Sequence, residues 1–338
     1  MFMKLAPLLA GAVSLVTLLG SPALAEIQER TIKFAAANSK GHPQVTGMER
    51  FAELVSQRSG GKITVKLFPG GTLGGDVQTL ASVQGGTVEM SVMNAGILSG
   101  TVKEFGVVDL PFLFATPQEA DAVMDGPIGT QLMERLPAQR LVGLGFWELG
   151  FRHLTNERRP VNTVEDVRGL KIRVVQSAVP VSTFNTLGAN AVPLPYPELY
   201  SALETGTVDG QENPLANIVN AKFTEVQKYL TLTGHQYNPQ IVIVSKAFWD
   251  RLDADEQALL QAAATEARDY QRQVSRDASD GFLAEIRKSG MEVVELSPEQ
   301  LQGFRDAVEP VVAEFRDQIG AETVDAVMNQ LKTLRGGQ

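Results

Sequence analysis

The chain has 338 residues, of which 43% are hydrophobic and 20% charged, and it carries a formal net charge of −9 and no cysteine. The acidic balance disfavours nucleic acid and anionic membranes as partners, because both need clustered Lys and Arg side chains. Without cysteine the chain has neither a disulfide nor a thiol nucleophile. The length suits two globular domains of ordinary size.

The N-terminus has the features of a secretory signal peptide. Lys4 precedes an apolar run at residues 5–20, and the small residues Ala23 and Ala25 follow it. A charged start, a short apolar core and an A-x-A site are typical of exported proteins. The run is too short to span ~30 Å of hydrocarbon comfortably. We therefore predict a signal peptide at residues 1–25, cleavage after Ala25, no lipid anchor, and a periplasmic location.

Strand and helix patterns alternate along the chain, which predicts an α/β fold with mainly parallel sheets. In the first half, the predicted elements are strand 31–36, helix 43–59, strand 63–68, helix 76–84 and strand 90–93. A buried run at 107–114 and a capping box at Thr116 and Glu119 follow. The second half repeats the plan with strand 170–175, helix 179–187, strand 191–194 and helix 197–204.

Two segments of the chain resemble each other. Residues 81–89 lead to Asn94 and residues 202–209 lead to Asn213, each through a helix end, a Gly-Thr-Val-acid turn and a short strand. Open α/β sheets bind ligands at the carboxyl ends of their strands. Unless the similarity is chance, Asn94 and Asn213 are expected on opposite sides of one cleft.

A long helical pattern begins at Asp253 and continues without proline. Its apolar stripe runs from Leu259 through Tyr270 to Ile286. At 1.5 Å per residue, ~35 residues span ~50 Å, which exceeds the width of one domain of this size. The pattern fits either one helix that spans two domains, with a kink expected near Gly281, or two consecutive helices.

Two arginines and one asparagine suggest a site for a small carboxylate. Arg152 and Arg173 flank the segment RPVNTVEDVRGLKIRV, and Asn213 lies in VDGQENPLAN. A guanidinium is always charged and its planar donors match a carboxylate, while Asn adds donors without charge. Each has a plain structural alternative. Arg173 fits a solvated strand edge, Arg152 fits a structural ion pair at the hinge between the domains, and Asn213 before Pro214 fits a helix N-cap.

Residues 150–249 closely resemble the solute-binding proteins of TRAP transporters, the tripartite ATP-independent periplasmic importers of organic acids. The strings VDGQENPLANI, GLKIRV and GFRHLTN carry the resemblance, with KFAAANSKGHP and LGGD earlier in the chain. The resemblance implies a two-lobe periplasmic binding protein fold, with a cleft between the lobes and one long helix spanning both. The expected lobe I is 26–149 plus 239–278, and the expected lobe II is 150–238 plus 279–338.

The resemblance also implies roles for several residues. The Arg of GLKIRV, here Arg173, makes the main salt bridge to the ligand carboxylate in that family, and the residues matching Arg152 and Asn213 support it. Some relatives that take four-carbon dicarboxylates carry Lys at the position of Arg152. Tyr196 matches an aromatic residue that packs against the ligand, with core packing as its alternative. Asn94 falls where some relatives place an acidic residue at the far end of the ligand, with helix capping as its alternative.

Three further residues lie at segment ends that are expected to face the cleft. His42 could instead form the first turn of its helix, and Gln240 could bond within the hinge. Glu148 would accept hydrogen bonds from ligand hydroxyls and repel a second carboxylate, unless it pairs with an arginine such as Arg158. Arg152 with Glu148, Asn94 and His42 around it favours one carboxylate plus hydroxyls, and therefore a sugar acid, either a uronate or an aldonate. A four-carbon dicarboxylate or a 2-oxo acid is the next most favoured ligand.

Enzyme motifs are absent from the sequence. The three histidines have no metal-ligand spacing, and there is no G-x-S-x-G elbow. The glycine-rich segment 69–75 lacks the lysine of a P-loop, so we expect no cofactor and no metal. A periplasmic sugar-acid lyase or isomerase using Glu148 and His153 is a distant alternative, and a chemoreceptor partner or structural protein is a third class. We predict a monomeric, non-enzymatic receptor that delivers an organic acid to TRAP membrane subunits.

Overall fold

The computed structural model describes residue 2 and residues 27–336. Apart from residue 2, the predicted signal peptide at 1–25 lies outside the described residues. The strands of this part are β1 Arg30–Ala36, β2 Ile63–Phe68, β3 Met90–Asn94, β4 Leu141–Asn156, β5 Lys171–Val174, β6 Asn190–Pro193, β7 Gly210–Asn213, β8 Tyr229–Ser245 and β9 Glu292–Val294. They form one sheet in the order β2-β1-β3-β8-β4-β7-β5-β6, and β9 pairs with β8.

Helices cover both faces of this sheet. They are α1 Pro43–Arg58, α2 Asp76–Gly85, α3 Pro117–Met124, α4 Pro127–Glu134, α5 Ala178–Thr186, α6 Leu199–Glu204, α7 Leu215–Asn220, α8 Lys246–Trp249, α9 Ala254–Lys288, α10 Pro298–Ile319 and α11 Ala321–Gly336. The predicted α/β fold is confirmed, and every strand and helix predicted up to residue 204 is present within two residues of its bounds. Helix 197–204 begins with a 3-10 turn, Tyr196–Glu198, before α6.

The sheet consists of two parallel groups joined by a long antiparallel pair. β1 pairs in parallel with β2 and β3, and β5 pairs in parallel with β6 and β7. β4 and β8 have 16 and 17 residues and pair with each other along most of their length. Register shifts interrupt that pairing, and at one of them Glu148 lies opposite Pro239 while Gly150 lies opposite Asn238. Two of the three predicted crossovers of the chain, those at 149/150 and 238/239, therefore lie side by side.

Three apolar clusters surround the sheet. One packs α1 and the first half of α9 onto β1, with the rings of Phe34 and Phe51 5.5 Å apart and those of Phe34 and Trp147 6.2 Å apart. A smaller cluster lies beneath α6 and the end of α9. The largest includes α10, which contacts α5 and the segment Lys103–Asp109, and α11, which contacts α3 and α4. The C-terminal helices thus pack onto elements from both halves of the chain.

The long helix α9 is a single helix of 35 residues, capped by Asp253 and unbroken at Gly281. The predicted apolar stripe is wrong in its middle turns, because Tyr270 is 44% exposed while Gln271 and Arg272 are buried. Gln271 accepts from the backbone N–H of Glu148 at 2.9 Å and donates to its C=O at 2.7 Å. Arg272 donates to the carbonyl of Phe146 at 2.8 Å. Polar side chains of α9 therefore hold β4 at the crossover.

Candidate ligand-binding site

Arg173 carries a buried charge that has no ion-pair partner among the described residues. On β5 its neighbours Ile172 and Val174 belong to the core, and the guanidinium of Arg173, on the other face, is only 3% exposed. Nε and Nη2 both donate to the carbonyl of Leu194, at 2.9 and 2.7 Å. Burial lowers the pKa of Arg173 to about 10, so it remains charged at neutral pH. Arg173 is therefore a buried cation that forms an ion pair with no described carboxylate.

Arg152 is equally buried, but the protein itself neutralises it. Its guanidinium forms a bidentate salt bridge to Glu212, with Nη2 2.9 Å from Oε1. It also donates to Asn238 Oδ1 at 2.9 Å and to Asn213 Oδ1 at 3.2 Å. Burial opposes ionisation of Glu212, but Arg152 and His235 more than offset this and lower the pKa of Glu212 to about 2. Arg152 thus forms a structural ion pair, as its alternative held, and this pair is buried; the role of Arg152 toward a ligand stays a prediction.

Asn213 and Tyr196 lie beside these two arginines. Asn213 is the last residue of β7, and Pro214 holds the N-cap position of α7, so the predicted capping role of Asn213 is wrong. Its amide instead bonds to Arg152. Tyr196 is half-buried, with its ring 5.9 Å from the Arg173 guanidinium carbon and 6.2 Å from the ring of Phe223. Tyr196 therefore both packs in the core and borders Arg173.

Asn94 ends β3 and is held by an acidic residue that the sequence reasoning missed. The backbone N–H and the Nδ2 of Asn94 donate to Asp76 Oδ2, at 3.2 and 3.1 Å. Its Oδ1 is buried and has no hydrogen-bond partner among the described residues, and its side chain forms no helix cap. Burial raises the pKa of Asp76 to about 6, although the bonds from Asn94 and the charge of Arg173 oppose this. In the sequence Asp76 appeared only as the first residue of a helix.

His42 and Gln240 belong to a chain of buried polar side chains. His42 caps α1, where Nδ1 accepts from the N–H of Gln44 at 3.1 Å. Burial lowers the pKa of His42 to about 4, so the neutral ring donates through Nε2 to Asn217 Oδ1 at 3.2 Å. Asn217 donates to Asn38, Asn38 donates to Gln44, and Gln44 donates to Gln240 at 2.6 Å. These bonds join α1 and β8 to α7, so the two halves of the sheet meet through them.

Two loops also meet across the cleft. A Cβ added to Gly71 would lie 2.4 Å from Cγ of Pro197, and one added to Gly75 would lie 3.2 Å from Cβ of Pro195. Only glycine permits so close an approach at Gly71, which also has a φ of +67°. The glycine-rich loop 69–75 thus packs against the loop that holds Arg173 through Leu194.

The structure pairs Glu148 with residues other than these, and its contact with the ligand stays a prediction. Its carboxylate accepts from Arg276 Nε at 2.7 Å and from the Tyr237 hydroxyl at 3.0 Å. Glu148 thus pairs with an arginine, as the alternative held, but that arginine is not Arg158, whose side chain is 65% exposed and lies near Asp209. Glu148 lines a cavity of about 600 Å³ between β4, α9 and α10, together with His153, and none of Arg173, Arg152, Asn213 and Asn94 lines it. The prediction rested on the place of Glu148 at a segment end, which does not fix the direction of its side chain.

Two halves of one α/β sheet thus meet around a buried guanidinium that no described carboxylate pairs with, and a small anion is the kind of ligand that such a group can bind. The family model of bacterial extracellular solute-binding proteins, family 7 (DctP), matches residues 34–318, and the chain belongs to this family. It is thus a periplasmic solute-binding protein of the TRAP type, which binds small organic acids, works with a membrane permease and is not an enzyme. No helix among the described residues is both long and apolar enough to cross a membrane.

Solved structures share the two-lobe fold. A TRAP periplasmic solute-binding protein from Ochrobactrum anthropi is 67% identical, with a TM-score of 0.82, over 92% of this chain and 97% of that one. The sugar acid binding protein DctPAm from Advenella mimigardefordensis, solved with galactonate, is 42% identical, with a TM-score of 0.89, over 91% and 99%. Among curated relatives, the C4-dicarboxylate-binding periplasmic protein DctP from Rhodobacter capsulatus is 35% identical over 94% and 96%.

Proposed function

We propose that this receptor binds a sugar acid, an aldonate or a uronate, whose carboxylate pairs with Arg173. The observation that carries the proposal is the buried guanidinium of Arg173, which is held by Leu194 and has no anion of its own. A buried charge is costly unless it is paired, so a ligand carboxylate supplies what the protein leaves out. A planar guanidinium offers that carboxylate charge-assisted hydrogen bonds.

The remaining polar groups favour hydroxyls at the other end of the ligand. Asn94 Oδ1 is a buried acceptor without a donor, and a ligand hydroxyl can donate to it whereas a carboxylate cannot. Arg152 is already paired with Glu212, so it offers little charge to a second carboxylate. The galactonate complex of the Advenella relative agrees with this choice. The Rhodobacter relative makes a four-carbon dicarboxylate the alternative.

We further infer how the other predicted residues take part. Arg152 and Asn213 would orient the carboxylate, and Tyr196 would pack against the ligand beside Arg173. His42 and Gln240 would act in closure of the cleft through Asn217 and Gln44, rather than as ligand contacts.

The lobe boundaries are part of the same proposal. Lobe I would hold residues 26–149 and 239–278, and lobe II residues 150–238 and 279–338. The neighbouring crossovers in β4 and β8 support this division. The contacts of α11 with α3 and α4 add a link from the C-terminus back to lobe I. Closure over the ligand would shift the population toward the form that the membrane subunits receive.

Thermal-shift screening of the mature protein against aldonates, uronates, four-carbon dicarboxylates and 2-oxo acids tests the ligand class. A ligand at 100 times its Kd adds ~2.7 kcal/mol of stability. Calorimetry of Arg173→Lys with the best ligand then tests the anchor. The substitution should weaken binding by ~2 kcal/mol, because a point charge replaces a planar pair of donors. Arg158→Lys is the matched control, because Arg158 is exposed on the same half. Unchanged affinity in Arg173→Lys would remove the proposal.

A further inference from the structure

The cavity of about 600 Å³ that Glu148 and His153 line has the size and the apolar walls of a site for a small organic ligand. Ligand pockets measure roughly 300–1,000 Å³ and combine apolar walls with a few directed polar groups. The apolar walls here include the side chains of Phe114, Leu149, Phe151, Leu215, Phe282 and Leu301. A ligand that enters the cavity must therefore present an apolar body to them.

Three polar side chains that line the cavity have donors that no described residue accepts. Nδ1 of His153 accepts from the backbone N–H of Gly234 at 3.1 Å, so the neutral ring carries its proton on Nε2. Burial, together with the nearby charge of His235, lowers the pKa of His153 to about 3, which keeps the ring neutral at neutral pH. Among the residues that the structure describes, the hydroxyl of Ser275 has no hydrogen-bond partner and the exposed Arg305 has no ion-pair partner. A ligand that accepts hydrogen bonds would satisfy all three groups.

The charges at the cavity favour an anion. Glu148 is the one carboxylate among the residues that line it, and Arg276 offsets its charge at an N–O distance of 2.7 Å. Arg305 instead lies over the ring of Phe112, with 5.1 Å between its guanidinium carbon and the ring centre. A carboxylate accepts several hydrogen bonds and pairs well with a guanidinium. The ligand that suits this cavity is therefore a carboxylate with a hydrophobic body, unlike the hydroxylated acid that is proposed for Arg173.

Strand β4 forms a wall between this cavity and the candidate ligand-binding site. Phe151 and His153 line the cavity, whereas Arg152 between them does not line it and bonds to Asn213. Successive side chains of a strand point to opposite faces, so the two sites lie on opposite sides of the same strand. Pro214, which follows Asn213, also lines the cavity. A change in the cavity is therefore only one residue away from the groups around Arg152.

Both proposed lobes contribute to the cavity. Its lining includes Pro117, Glu148 and Ser275 from the proposed lobe I, and Phe151, Leu232 and Arg305 from the proposed lobe II. The lining also contains Leu149 and Gly150, where β4 passes between the proposed lobes. The shape of the cavity thus depends on how the lobes are arranged. A ligand that fits it in the arrangement described above, where the lobes meet, favours that arrangement.

We propose that this cavity is a second ligand site, which binds a small hydrophobic carboxylate through Arg305, His153 and Ser275 and thereby favours closure of the lobes. Binding at this site is independent of the proposed binding of a sugar acid, and only the effect on closure rests on that function. Because coupling between two sites is reciprocal, the second ligand and the sugar acid should strengthen each other's binding by the same factor.

Equilibrium dialysis of the mature protein with 1-naphthylacetate tests the site. The matched neutral compound, 2-(1-naphthyl)ethanol, has the same rings with a hydroxyl in place of the carboxylate. We expect one saturable site that binds the acid at least about tenfold more tightly than the alcohol, because the unpaired donors gain a charged acceptor. Arg305→Gln should remove most of this preference. Arg316→Gln is the matched control and should keep it, because Arg316 lies on the same helix and pairs with Asp325 outside the cavity.

Competition with galactonate shows which site the probe occupies. Saturating galactonate should raise the affinity for 1-naphthylacetate about threefold, because both ligands favour the closed form. Arg173→Lys should lose galactonate and still bind the probe. If galactonate displaces the probe instead, the probe occupies the site of Arg173, and the proposal of a second site is overturned.

The remaining outcomes decide each part of the inference. Ser275→Phe fills the cavity and should abolish binding of 1-naphthylacetate; if this variant does not fold, Arg305→Gln at its exposed position decides in its place. A wild-type protein that does not bind the probe, or binding that neither variant weakens, overturns the site. If galactonate binds but leaves the affinity for the probe unchanged, the link to closure is wrong. A wild-type protein that binds the probe but no sugar acid overturns the sugar-acid proposal and supports the second site.

Discussion

The surroundings of Arg152 and Arg173 are a natural comparison within this protein. Both side chains are almost completely buried, at 1% and 3% exposure, and both lie on strands of the second half of the sheet. Arg152 is matched by Glu212, Asn238 and Asn213. Arg173 meets one backbone carbonyl and an aromatic ring. The charge of Arg152 is thus neutralised within the protein, whereas the charge of Arg173 has no carboxylate partner among the described residues.

Burial is common to both arginines, so it cannot be what makes Arg173 rather than Arg152 the proposed ligand anchor. What distinguishes Arg173 is the missing counter-charge, which only three-dimensional structure reveals. A buried ion pair loses stability when one partner is removed, because the other charge remains buried and unpaired. A buried charge that awaits a ligand should show the opposite pattern, with little effect on the free protein and a large effect on binding.

The largest expected effect belongs to Arg152. Arg152→Met leaves Glu212 buried with only His235 beside it and should lower the free energy of unfolding by ~3–5 kcal/mol. Urea unfolding of the ligand-free protein measures this. The double variant Arg152→Met with Glu212→Gln should recover much of the loss, since it removes the uncompensated charge. A single variant that loses less than ~1 kcal/mol would place Arg152 in the same class as Arg173.

Arg173 should behave in the reverse way. In Arg173→Met the free protein should keep its stability within ~1 kcal/mol, because the lost bonds to Leu194 are offset by removal of a buried charge. The stabilisation of ~2.7 kcal/mol that the best ligand gives the wild-type protein at 100 times its Kd should disappear. Thermal unfolding with and without that ligand gives both quantities. A large loss of stability without ligand would mean that Arg173 is structural.

His42 extends the comparison to a buried group that is neutral. Its pKa is lowered from 6.5 to about 4 by burial, so the unfolded chain binds the proton more tightly than the folded protein. Stability should therefore fall as the pH drops from about 6.5 toward 4, and His42 should contribute ~2 kcal/mol of that fall by about pH 5. His42→Asn, which keeps a capping side chain, should lose this part of the pH dependence. Identical profiles of unfolding free energy against pH would contradict the assignment.

The sequence predicted the short strands and the helices well, because their apolar residues follow regular spacing. It missed β4 and β8, where buried polar residues break the alternation. In β8, His235, Gln236, Asn238 and Gln240 are all buried. Their burial depends on partners far away in the chain, such as Gln44 for Gln240. The polar turn of α9 around Gln271 was missed for the same reason, since its partner is the backbone of Glu148.

The residues of the candidate site also divide into those that the sequence indicated and those that it did not. Arg173, Arg152 and Asn213 could be identified from local sequence, because the strings that contain them resemble a known family. The partners of Glu148 were missed, because Arg276 and Tyr237 lie far from it in the sequence. Asp76 was overlooked, because its contact with Asn94 joins residues 18 positions apart and leaves no periodic signal. Local chemistry is visible in a sequence, whereas the pairing of buried polar groups is not.

The smallest expected effect concerns closure rather than contact with the ligand. Asn217 bonds to both His42 and Asn38 across the proposed lobe boundary, so these bonds exist only when the lobes are together. Asn217→Ala should weaken binding by ~1 kcal/mol, about fivefold, because it removes contacts that favour the closed form without touching the carboxylate anchor. Small-angle scattering should show that ligand decreases the radius of gyration of the wild-type protein and that the variant needs more ligand to reach the same final value. A variant with wild-type affinity and an unchanged scattering titration would mean that closure depends on the contacts of Arg173 and the ligand instead of this hydrogen-bonded chain.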